Sequence, residues 1–231
     1  FELFLLLSYI PPPLNDNLVQ AVQTLYKAMF IEPECKYPTV PMVELCSKIG
    51  SGATPKGGKS AYCDEGISLI RSTNVFDYNF AYTDLAHISD EQANALSNVV
   101  VEQKDVLFNI TGVSVARCCI VPDDVLPARV NQHVMILRPY KGKLMSYFIM
   151  ATLCYTENKA KLLGIGQSGS TREAINKQEM ESFQIIVPPD NMIEDFGTKA
   201  EQLYNMICSN IQEIKHLESM QQLILMQLSS R

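Results

Sequence analysis

A seven-residue repeat of apolar side chains near the C-terminus constrains the fold more than any other feature. After Pro188-Pro189, apolar residues recur at the a and d positions of heptads over Asn191–Leu228. At 1.5 Å per residue this segment forms a helix of roughly 57 Å. Because that length exceeds the diameter of a domain of ~150 residues, we predict that much of the helix packs against another helix. Asn210 interrupts the repeat at a d position, where a polar partner would fix the helix register.

The N-terminal segment predicts a second, shorter helix. Apolar residues keep heptad spacing over Leu14–Ala28, and Asn15, Asp16 or Asn17 would cap its start. An antiparallel pair of the two helices would bring both ends of the intervening segment together. We predict that six side chains of the long helix form the helix interface: Ile193, Phe196, Leu203, Ile207, Ile214 and Leu217. Phe1–Ile10 is predicted to be a buried strand rather than a signal peptide.

The sequence between the helices predicts a mixed domain. Runs rich in β-forming residues lie at Val40–Leu45, Ser68–Asn74, Val106–Asn109, Ala116–Val121, Val134–Leu137 and Phe183–Val187. One helix is predicted over Leu144–Leu163, followed by a turn cluster at Gly164–Gly169. Since strands and helices do not alternate regularly, the predicted fold class is α+β, a globular domain flanked by a short N-terminal helix and a long C-terminal coiled-coil helix. We place this domain at residues 40–189, between segments 1–39 and 190–231.

Composition excludes several classes of protein. With 47% hydrophobic residues the chain can bury a core, and no run reaches the ~18 apolar residues of a membrane span. Seven cysteines without a CxxC pair, beside three histidines, lack zinc-ligand spacing and predict free buried thiols in a reducing cytoplasm. The net charge is −6, but the acidic excess lies in segments 1–39 and 188–231. The nearly neutral middle therefore permits a local basic face.

Two motifs point to enzymes, and neither has the context that its chemistry needs. Gly164–Gly169 matches G-x-G-x-x-G, yet it follows a helical segment rather than a strand, and we predict a flexible glycine loop. Asp90 with Glu102 and Lys104 fits a metal-dependent nuclease pattern, but Lys104 equally fits a polar turn before a strand. No Ser, His and Asp grouping suggests a catalytic triad. We therefore predict a chain that has no catalytic residues and no metal site.

Five polar loops contain side chains suited to hydrogen bonding with nucleic acid. Arg reads guanine, Asn and Gln read adenine, and Ser, Thr and Lys bind phosphates. The groups are Ser51, Thr54, Lys56 and Lys59; Arg71, Ser72, Thr73 and Asn74; Thr111, Gly112, Ser114 and Arg117; Arg129, Asn131, Gln132 and His133; and Gln167, Ser168, Ser170, Thr171 and Arg172. Each group alone fits an ordinary solvated loop. Together they indicate a binding face only if the fold brings them together.

Motifs along the chain resemble, in order, those of specificity subunits from type I restriction-modification systems. Gly50–Pro55 followed by Ile67–Ser72 is similar to the opening of a target recognition domain in that family. Asp105–Gly112, running on to Arg117, resembles the family's DxLFxxxG…xR hairpin. Further similar segments are Asn131-Gln132 with Arg138-Pro139, Gly169–Arg172 with Ile175-Asn176, Ile185–Pro189, the spacer-helix end Leu14–Phe30 and the closing helix Ile214–Ser230. The closing helix lacks the family's usual basic and Pro-Lys residues.

This resemblance implies a DNA-reading subunit that is not itself an enzyme. Family members hold two target recognition domains apart on paired helices, which dock adenine methyltransferase subunits in a complex that also has a restriction subunit. A single recognition domain implies a half-subunit or a fragment that reads one half of an interrupted double-stranded DNA target and pairs as a homodimer. S-adenosylmethionine, Mg and ATP are expected only on the partner subunits.

The resemblance and the loop chemistry together select the predicted DNA contacts. Arg71, Asn74, Arg117, Gln132 and Arg172 are predicted to contact DNA at either bases or phosphates. Backbone contacts are predicted for Thr54, Lys56, Lys59, Thr111, Ser114, Ser170 and Thr171. The negative net charge departs from a stand-alone DNA-binding protein, and methyltransferase partners would supply much of the phosphate contact. An alternative is an assembly module whose coiled coil presents a head that binds a ligand other than DNA.

Overall fold

The computed structural model describes residues 13–33, 36–168 and 174–229, so the predicted strand Phe1–Ile10 lies outside the described residues. The helices are α1 (Pro13–Phe30), α2 (Asp90–Ala95), α3 (Gly142–Cys154), α4 (Thr156–Ser168), α5 (Lys177–Ser182) and α6 (Asp190–Ser229). The strands are β1 (Thr39–Pro41), β2 (Cys46–Ser51), β3 (Tyr62–Cys63), β4 (Ile67–Ile70), β5 (Val75–Phe76), β6 (Asn79–Phe80), β7 (Ala86–Ile88), β8 (Val100–Val101), β9 (Val106–Asn109), β10 (Cys118–Ile120), β11 (Ala128–Val130), β12 (Val134–Pro139) and β13 (Gln184–Ile186). Short 3-10 turns fill several of the connections.

The long helix α6 packs antiparallel to α1, as the heptad spacing predicts. Near one end of the pair, Asn210 Nδ2 donates to Asn15 Oδ1 at 2.9 Å. Near the other end, the Phe196 ring lies 5.9 Å from the Tyr26 ring and 5.3 Å from the Phe30 ring, measured between centroids. The polar partner predicted for Asn210 is thus a residue of the same chain.

The predicted caps of α1 are wrong, because the helix begins at Pro13 and already includes Asn15, Asp16 and Asn17. Proline fits the first turn of a helix, where its missing N–H has no helical acceptor and its fixed φ is already helical. The early start places Asn15 inside the helix, where its side chain meets α6.

The first half of α6 belongs to the core of its own chain. Ile193, Phe196 and Ile207 are buried there, whereas Leu203, Ile214 and Leu217 are only half-buried. Tyr204 is buried in place of Leu203, because a straight helix turns once every 3.6 residues and drifts from a strict heptad seam. The three buried members of the predicted helix interface therefore make contacts within one chain, against α1 and α3.

A four-stranded antiparallel sheet, in the order β10-β9-β12-β2, forms the middle layer of the domain. Val106 and Phe108 of β9 join the core shared with the helices, while Leu107 between them joins a second core on the opposite face. The same alternation places Cys118, Ile120, Met135 and Leu137 on the helix side and Cys119, Val134 and Ile136 on the other. Since both faces are covered, these strands read as unbroken apolar runs.

The second core lies between that sheet and a five-stranded sheet in the order β3-β7-β4-β11-β8. Strands β4 and β11 run parallel, and the other neighbours run antiparallel. Strands β1 and β13 pair antiparallel, with Val40 opposite Ile185, and this pair joins the two ends of the domain beside the helices. The domain therefore has three layers: helices, a four-stranded sheet and a five-stranded sheet.

Polar contacts fix the long helix to the layers beside it. Tyr204 Oη donates to the carbonyl oxygen of Ile120 at 2.9 Å, inside the core. Further along α6, Gln212 Nε2 donates to Tyr82 Oη at 2.9 Å, and Tyr82 Oη donates to Asp124 Oδ1 at 2.9 Å. Burial and the bond to Asp124 raise the pKa of the Tyr82 phenol. These bonds span two turns of α6 and hold it at a defined angle to the domain.

Several predictions for the middle segment are wrong in their boundaries. The strand predicted over Val40–Leu45 is the short strand β1 followed by a 3-10 turn at Met42–Glu44. The single helix predicted over Leu144–Leu163 is two helices, α3 and α4, with a break at Tyr155. The predicted glycine loop begins too early, since α4 continues to Ser168. Gly166 O accepts a bond from Ala174 N, and a β-carbon on Gly166 would make only an ordinary contact with Ile175, at 3.6 Å.

The thiol prediction holds for most of the described cysteines and fails for one. Cys46, Cys118, Cys119 and Cys154 are buried and free, whereas Cys63 is exposed. Burial raises the pKa of Cys46 to about 12, which keeps it as an unreactive thiol. Among the helices of the described residues, none is both long enough and apolar enough to cross a lipid bilayer.

One buried ion pair joins the two sheets. Arg138 of β12 donates to both Asp105 carboxylate oxygens at 2.7 Å and also to Val100 O at 2.9 Å, in β8 of the other sheet. Burial raises the pKa of the Asp105 carboxyl, an effect that the bonds from Arg138 and from Glu102 N oppose. The buried Asp105 carboxylate is thus paired with the planar Arg138 guanidinium, which donates a hydrogen bond to each of its oxygens.

Removing the Asp105 charge should destabilise the fold far more than removing its exposed neighbour. Asp105→Asn leaves Arg138, 20% exposed, without its bidentate partner, and we expect the free energy of unfolding to fall by about 3 kcal/mol. Glu102 also binds Arg138 but is 59% exposed, so Glu102→Gln should cost less than about 1 kcal/mol. Urea unfolding of the two variants makes the comparison, and equal losses would contradict the role of burial.

Candidate nucleic-acid interface

Four of the five predicted polar loops meet at one end of the sheets. We call them the loop cluster, defined as residues 52–61, 71–74, 111–117 and 131–133. Gly52 N donates to Asn131 O at 3.1 Å, Asn131 N donates to Ile70 O at 3.0 Å, and Ile110 N donates to His133 O at 3.0 Å. These bonds tie the first, second and third loops to the fourth. The fold therefore meets the condition that the loops come together.

Two buried asparagines hold the loops in register. Asn109 Nδ2 donates to Ser72 O at 2.9 Å and to Val75 O at 3.2 Å, which links the third loop to the second. Asn131 Oδ1 accepts from His133 N at 3.0 Å and shapes the turn between β11 and β12. Because a buried backbone group without a partner is costly, these amides constrain the loop backbones strongly.

Asn74, a predicted DNA contact, lies in the interior and supports a turn. It is fully buried, its Nδ2 donates to Ala81 O at 2.9 Å, and its Oδ1 accepts from Arg71 N at 3.0 Å. The amide therefore holds the chain on either side of the β5–β6 hairpin. Since its side chain has no exposed edge, we leave Asn74 out of the set that we propose to contact DNA.

A short chain of polar side chains crosses the loop cluster. Gln132 Nε2 lies 3.0 Å from His133 Nε2, and His133 Nδ1 lies 2.6 Å from Thr111 Oγ1. Each ring nitrogen of His133 therefore has one polar partner, an amide on one side and a hydroxyl on the other. Ser114 Oγ donates to Thr111 O at 3.4 Å. Thr111, Ser114 and Gln132 thus form one connected surface, with His133 at its centre.

The first loop presents exposed side chains on a supported backbone. Thr54, Lys56 and Lys59 are all exposed. Gln92 of α2 donates from Nε2 to Lys56 O at 3.0 Å, so the loop rests on that helix. The two ammonium groups have the reach and the exposure that phosphate contact requires.

The two described arginines of the loop cluster are held in different ways. Arg71 Nη2 donates to Asp84 O, and the guanidinium carbon lies 5.6 Å from the centroid of the Tyr62 ring. The Arg117 guanidinium carbon lies 4.6 Å from the centroid of the Phe76 ring. Both side chains are half-buried, and each is steadied by an aromatic face.

The structure does not describe Ser170, Thr171 and Arg172, but it does describe the residues on either side of them. Ala174 forms an antiparallel bridge with Thr111, and its N–H donates to Gly166 O at 3.2 Å. The chain therefore leaves α4 and returns beside the third loop of the cluster. Arg129 is bound to α2, because its Nε donates to Ala93 O at 3.0 Å.

The charge of the loop cluster is opposite in sign to that of the chain. Its residues include no Asp or Glu, and their cations are Lys56, Lys59, Arg71 and Arg117. The chain as a whole has a net charge of −6. Four cations gathered on one face, without an acidic residue among them, attract a polyanion locally even when the whole protein is acidic.

The aromatic partners of Arg71 and Arg117 were not predicted from the sequence. Tyr62 and Phe76 lie on short strands, and Phe76 is 37% exposed while Val75 before it is fully buried. An aromatic residue on the solvent side of a strand is the signal that would have identified Phe76. The two-residue lengths of β3 and β5 are too short for that alternation to be seen in the sequence.

The structure separates the residues of the possible nuclease motif. Glu102 binds Arg138, while Lys104 Nζ donates to Tyr147 Oη at 3.0 Å and lies 3.5 Å from Glu201. Asp90 is the first residue of α2. Across the described ranges, no three His, Cys, Asp or Glu side chains are grouped in a way that would hold a metal ion.

The fold and the site define a class of protein: a three-layer recognition domain that carries a cationic loop face and is mounted on an antiparallel helix pair. The chain belongs to the family described as the type I restriction modification DNA specificity domain, whose model matches residues 38–218. This family is non-catalytic. The resemblance drawn from the motifs is therefore confirmed, as is the α+β fold class with its flanking helices.

Solved structures of type I restriction-modification proteins share this fold. The HsdS subunit from Thermoanaerobacter tengcongensis is 18% identical with a TM-score of 0.57, covering 97% of this chain and 52% of that chain. The type I restriction-modification S subunit from M. genitalium is 12% identical with a TM-score of 0.61, covering 92% and 57%. A chain from a structure of complex assembly and conformational transition of the type I R-M system is 20% identical with a TM-score of 0.60, covering 97% and 53%. This chain thus spans about half the length of the chains that it matches.

Gly52 should be irreplaceable, while its near neighbour Gly50 should not. A β-carbon on Gly52 would lie 1.7 Å from Val130 O, whereas a β-carbon on Gly50 would meet nothing within 4 Å. We expect Gly52→Ala to lower the free energy of unfolding by about 2 kcal/mol or more, because the backbones of the first and fourth loops must separate. Gly50→Ala should change it by less than about 1 kcal/mol. Thermal unfolding monitored by circular dichroism compares them, and an unchanged midpoint for Gly52→Ala would refute the close approach.

Proposed function

We propose that this chain is the DNA-reading part of a type I restriction-modification complex and reads one half of an interrupted double-stranded target. The observation that carries the proposal is the loop cluster, which gathers four cations and no carboxylate on a chain of net charge −6. Electrostatic attraction to the phosphate backbone supplies most of the sequence-independent affinity for DNA, so a local cationic face is the feature that such binding requires. Membership of the DNA specificity domain family supports the same function.

The contacts divide by the reach and the rigidity of the side chains. Exposed Lys56 and Lys59, with Thr54, would bind phosphates beside the groove, and Ser114 and Thr111 would donate to the backbone from the third loop. Gln132 and Arg117, held by His133 and Phe76, would face the base edges, where fixed geometry gives specificity. Arg71, bound to Asp84 O, would contact DNA beside them. Ser170, Thr171 and Arg172, which lie outside the described residues, complete the proposed set.

The chemistry would belong to the partner subunits. We propose that the helix pair docks adenine methyltransferase subunits and that a restriction subunit joins the same cytoplasmic complex. S-adenosylmethionine, Mg and ATP would bind those partners, and this chain would hold no cofactor. The partners would also supply phosphate contacts that this acidic chain lacks outside the loop cluster.

The distal part of α6 is suited to pairing with a second copy of this chain. On both sides of Asn210, where α6 meets Asn15 of α1, apolar side chains of the helix are exposed, and near its C-terminal end they lie on more than one face. Among them, Met206, Met220, Ile224 and Leu228 are 46–64% exposed and recur, with half-buried Leu217, at helical spacing along one face. We propose that these residues meet the same face of a second chain, which would give a two-fold complex with two recognition domains.

Co-expression with an adenine methyltransferase subunit tests the proposed function directly. We expect the wild-type pair to methylate adenines within one interrupted motif across the host genome, as mapped by single-molecule sequencing. Two copies of this chain would make the motif palindromic, since both halves would be read by the same domain. A soluble complex that leaves the genome without any new methylated motif would refute the proposal.

Matched variants connect that activity to the loop cluster. Lys56→Ala combined with Lys59→Ala should lower the affinity of the complex for DNA about tenfold or more at 150 mM salt, because two phosphate contacts are lost. Lys199→Ala, which removes an equally exposed lysine from α6, is the control and should leave binding unchanged. The dependence of affinity on salt should flatten only in the first variant.

A charge on the exposed face of α6 should separate the two copies. Leu217→Asp places a carboxylate in the apolar stripe, so we expect the mass of the assembled complex, measured by light scattering, to fall to that of a single-copy complex. Gln222→Asp introduces the same group on the opposite face of the same helix, and its mass should not change. An unchanged mass for Leu217→Asp would count against pairing through this face.

A further inference from the structure

We propose that Arg117 reads a guanine in the target and that Phe76 is the positioning residue that aims it. This inference rests on the proposed function and deepens it, because it assigns one base contact to one side chain. Three observations carry it: the hydrogen-bonding state of Arg117, its contact with Phe76 and the rigidity of the turn that precedes it.

Arg117 differs from the other described arginines in having its donors available. Arg71 donates to Asp84 O, Arg129 donates to Ala93 O, and Arg138 donates to Asp105 and Val100. The Arg117 guanidinium, by contrast, makes no hydrogen bond or ion pair with any residue in the described ranges, and it lies over the Phe76 ring. A half-buried guanidinium with its five donors unpaired is suited to a ligand that supplies acceptors.

Asp77, an acidic residue just after strand β5 and close to Arg117, does not pair with it. Asp77 follows Phe76 directly, and its carboxylate accepts from Cys118 N at 3.2 Å and pairs with Lys159. Asp77 is therefore committed to the base of strand β10 and to α4. The positive charge of Arg117 thus stays available at the surface of the loop cluster.

The Phe76 ring restricts the orientation of the Arg117 guanidinium. With its carbon 4.6 Å from the ring centroid, the guanidinium is held against an aromatic face, which restricts the plane in which its N–H groups point. A phosphate can also accept two bonds from a guanidinium fork, so this feature alone serves both acceptors. Guanine presents O6 and N7 side by side in the major groove, and a planar fork of fixed direction matches that edge. The contact with Phe76 therefore suits Arg117 to the base-reading role that we propose for it.

The backbone beneath Arg117 is fixed on both sides. Arg117 N donates to Ser114 O at 3.2 Å, and Arg117 O accepts from Asn109 N at 2.9 Å. Ala116 N donates to Asn109 O at 2.9 Å, and Asn109 is itself buried. Because the backbone and the guanidinium are both held before DNA arrives, little conformational entropy is lost on binding, and a misplaced base is penalised.

The test combines a missing base atom with a missing side chain. The complex with the methyltransferase is titrated with duplexes that carry its mapped motif, each with one guanine replaced by 7-deazaguanine, which lacks the N7 acceptor. We expect one such position to weaken wild-type binding about tenfold. Arg117→Ala should weaken binding to the unmodified motif roughly ten- to a hundredfold and should lose all sensitivity to that 7-deazaguanine.

Variants at Phe76 test the positioning role. Phe76→Leu should lower affinity for the motif several-fold while leaving binding to random DNA and the salt dependence unchanged, because the charge remains but its aim is lost. Phe76→Tyr keeps the aromatic face and should bind as the wild type does. Equal affinities for Phe76→Leu and the wild type would overturn the positioning role, provided that both unfold at the same temperature.

Other outcomes separate this inference from the proposed function. If Arg117→Ala weakens motif and random DNA equally and reduces the salt slope by about one, Arg117 binds a phosphate and the inference is overturned. A motif without guanine, or one whose 7-deazaguanine variants all bind normally, also overturns it while the proposed function stands. A wild-type complex that neither binds nor methylates any motif refutes the proposed function itself.

Discussion

The rest of the structure depends on the burial of both faces of the four-stranded sheet. The first three residues of β9 contribute to the two cores in turn, with Val106 and Phe108 on the helix side and Leu107 on the other. The edge strand β2 exposes Ser47, but because β9 and β10 are buried on both faces, the polar side chains beside them emerge near the strand ends. This restriction gathers the third and fourth loops, and through Asn109 the second, at one end of the domain.

A second consequence is that the long helix is attached to the same domain that carries the loop cluster. The helix α6 enters the helix-side core through Phe196 and Ile207 and is bonded to the sheet through Tyr204. The contacts of Gln212 with Tyr82 extend this attachment to the five-stranded side of the domain. The direction in which the loops face is therefore set relative to the helix axis, with no free joint between them in the described residues.

The helices and the central strands were predictable from the sequence because their patterns extend over many residues. The heptads of Asn191–Leu228 match a helix at Asp190–Ser229, and the apolar run Val106–Asn109 is observed as a strand with those bounds. The two-residue strands β3, β5, β6 and β8 were not predicted, because they are too short to show an alternating pattern. Strands β3 and β8 pair with distant segments, whereas β5 and β6 pair with each other in a hairpin. Ser51 was placed in a polar loop yet belongs to β2, which pairs with β12.

The candidate site was predictable by residue type and not by environment. Thr111, Ser114 and Gln132 were identified by their hydrogen-bonding chemistry, and the structure joins them through His133. Asn74 has the same chemistry and is fully buried, which no local pattern signals. Convergence of the loops depends on backbone bonds such as that from Gly52 to Asn131, between residues far apart in the chain.

The buried asparagines also bear on how such a domain can change over evolutionary time. Asn74, Asn109 and Asn131 shape the loops through carbonyl and N–H groups of the backbone, which every residue has. The exposed side chains on those loops can consequently be exchanged without altering the frame that holds them. Selection for a new target sequence would then act on a few exposed loop positions. The three asparagines, Gly52 and the residues of both cores would change more slowly. Such a division lets one scaffold serve many recognition sequences.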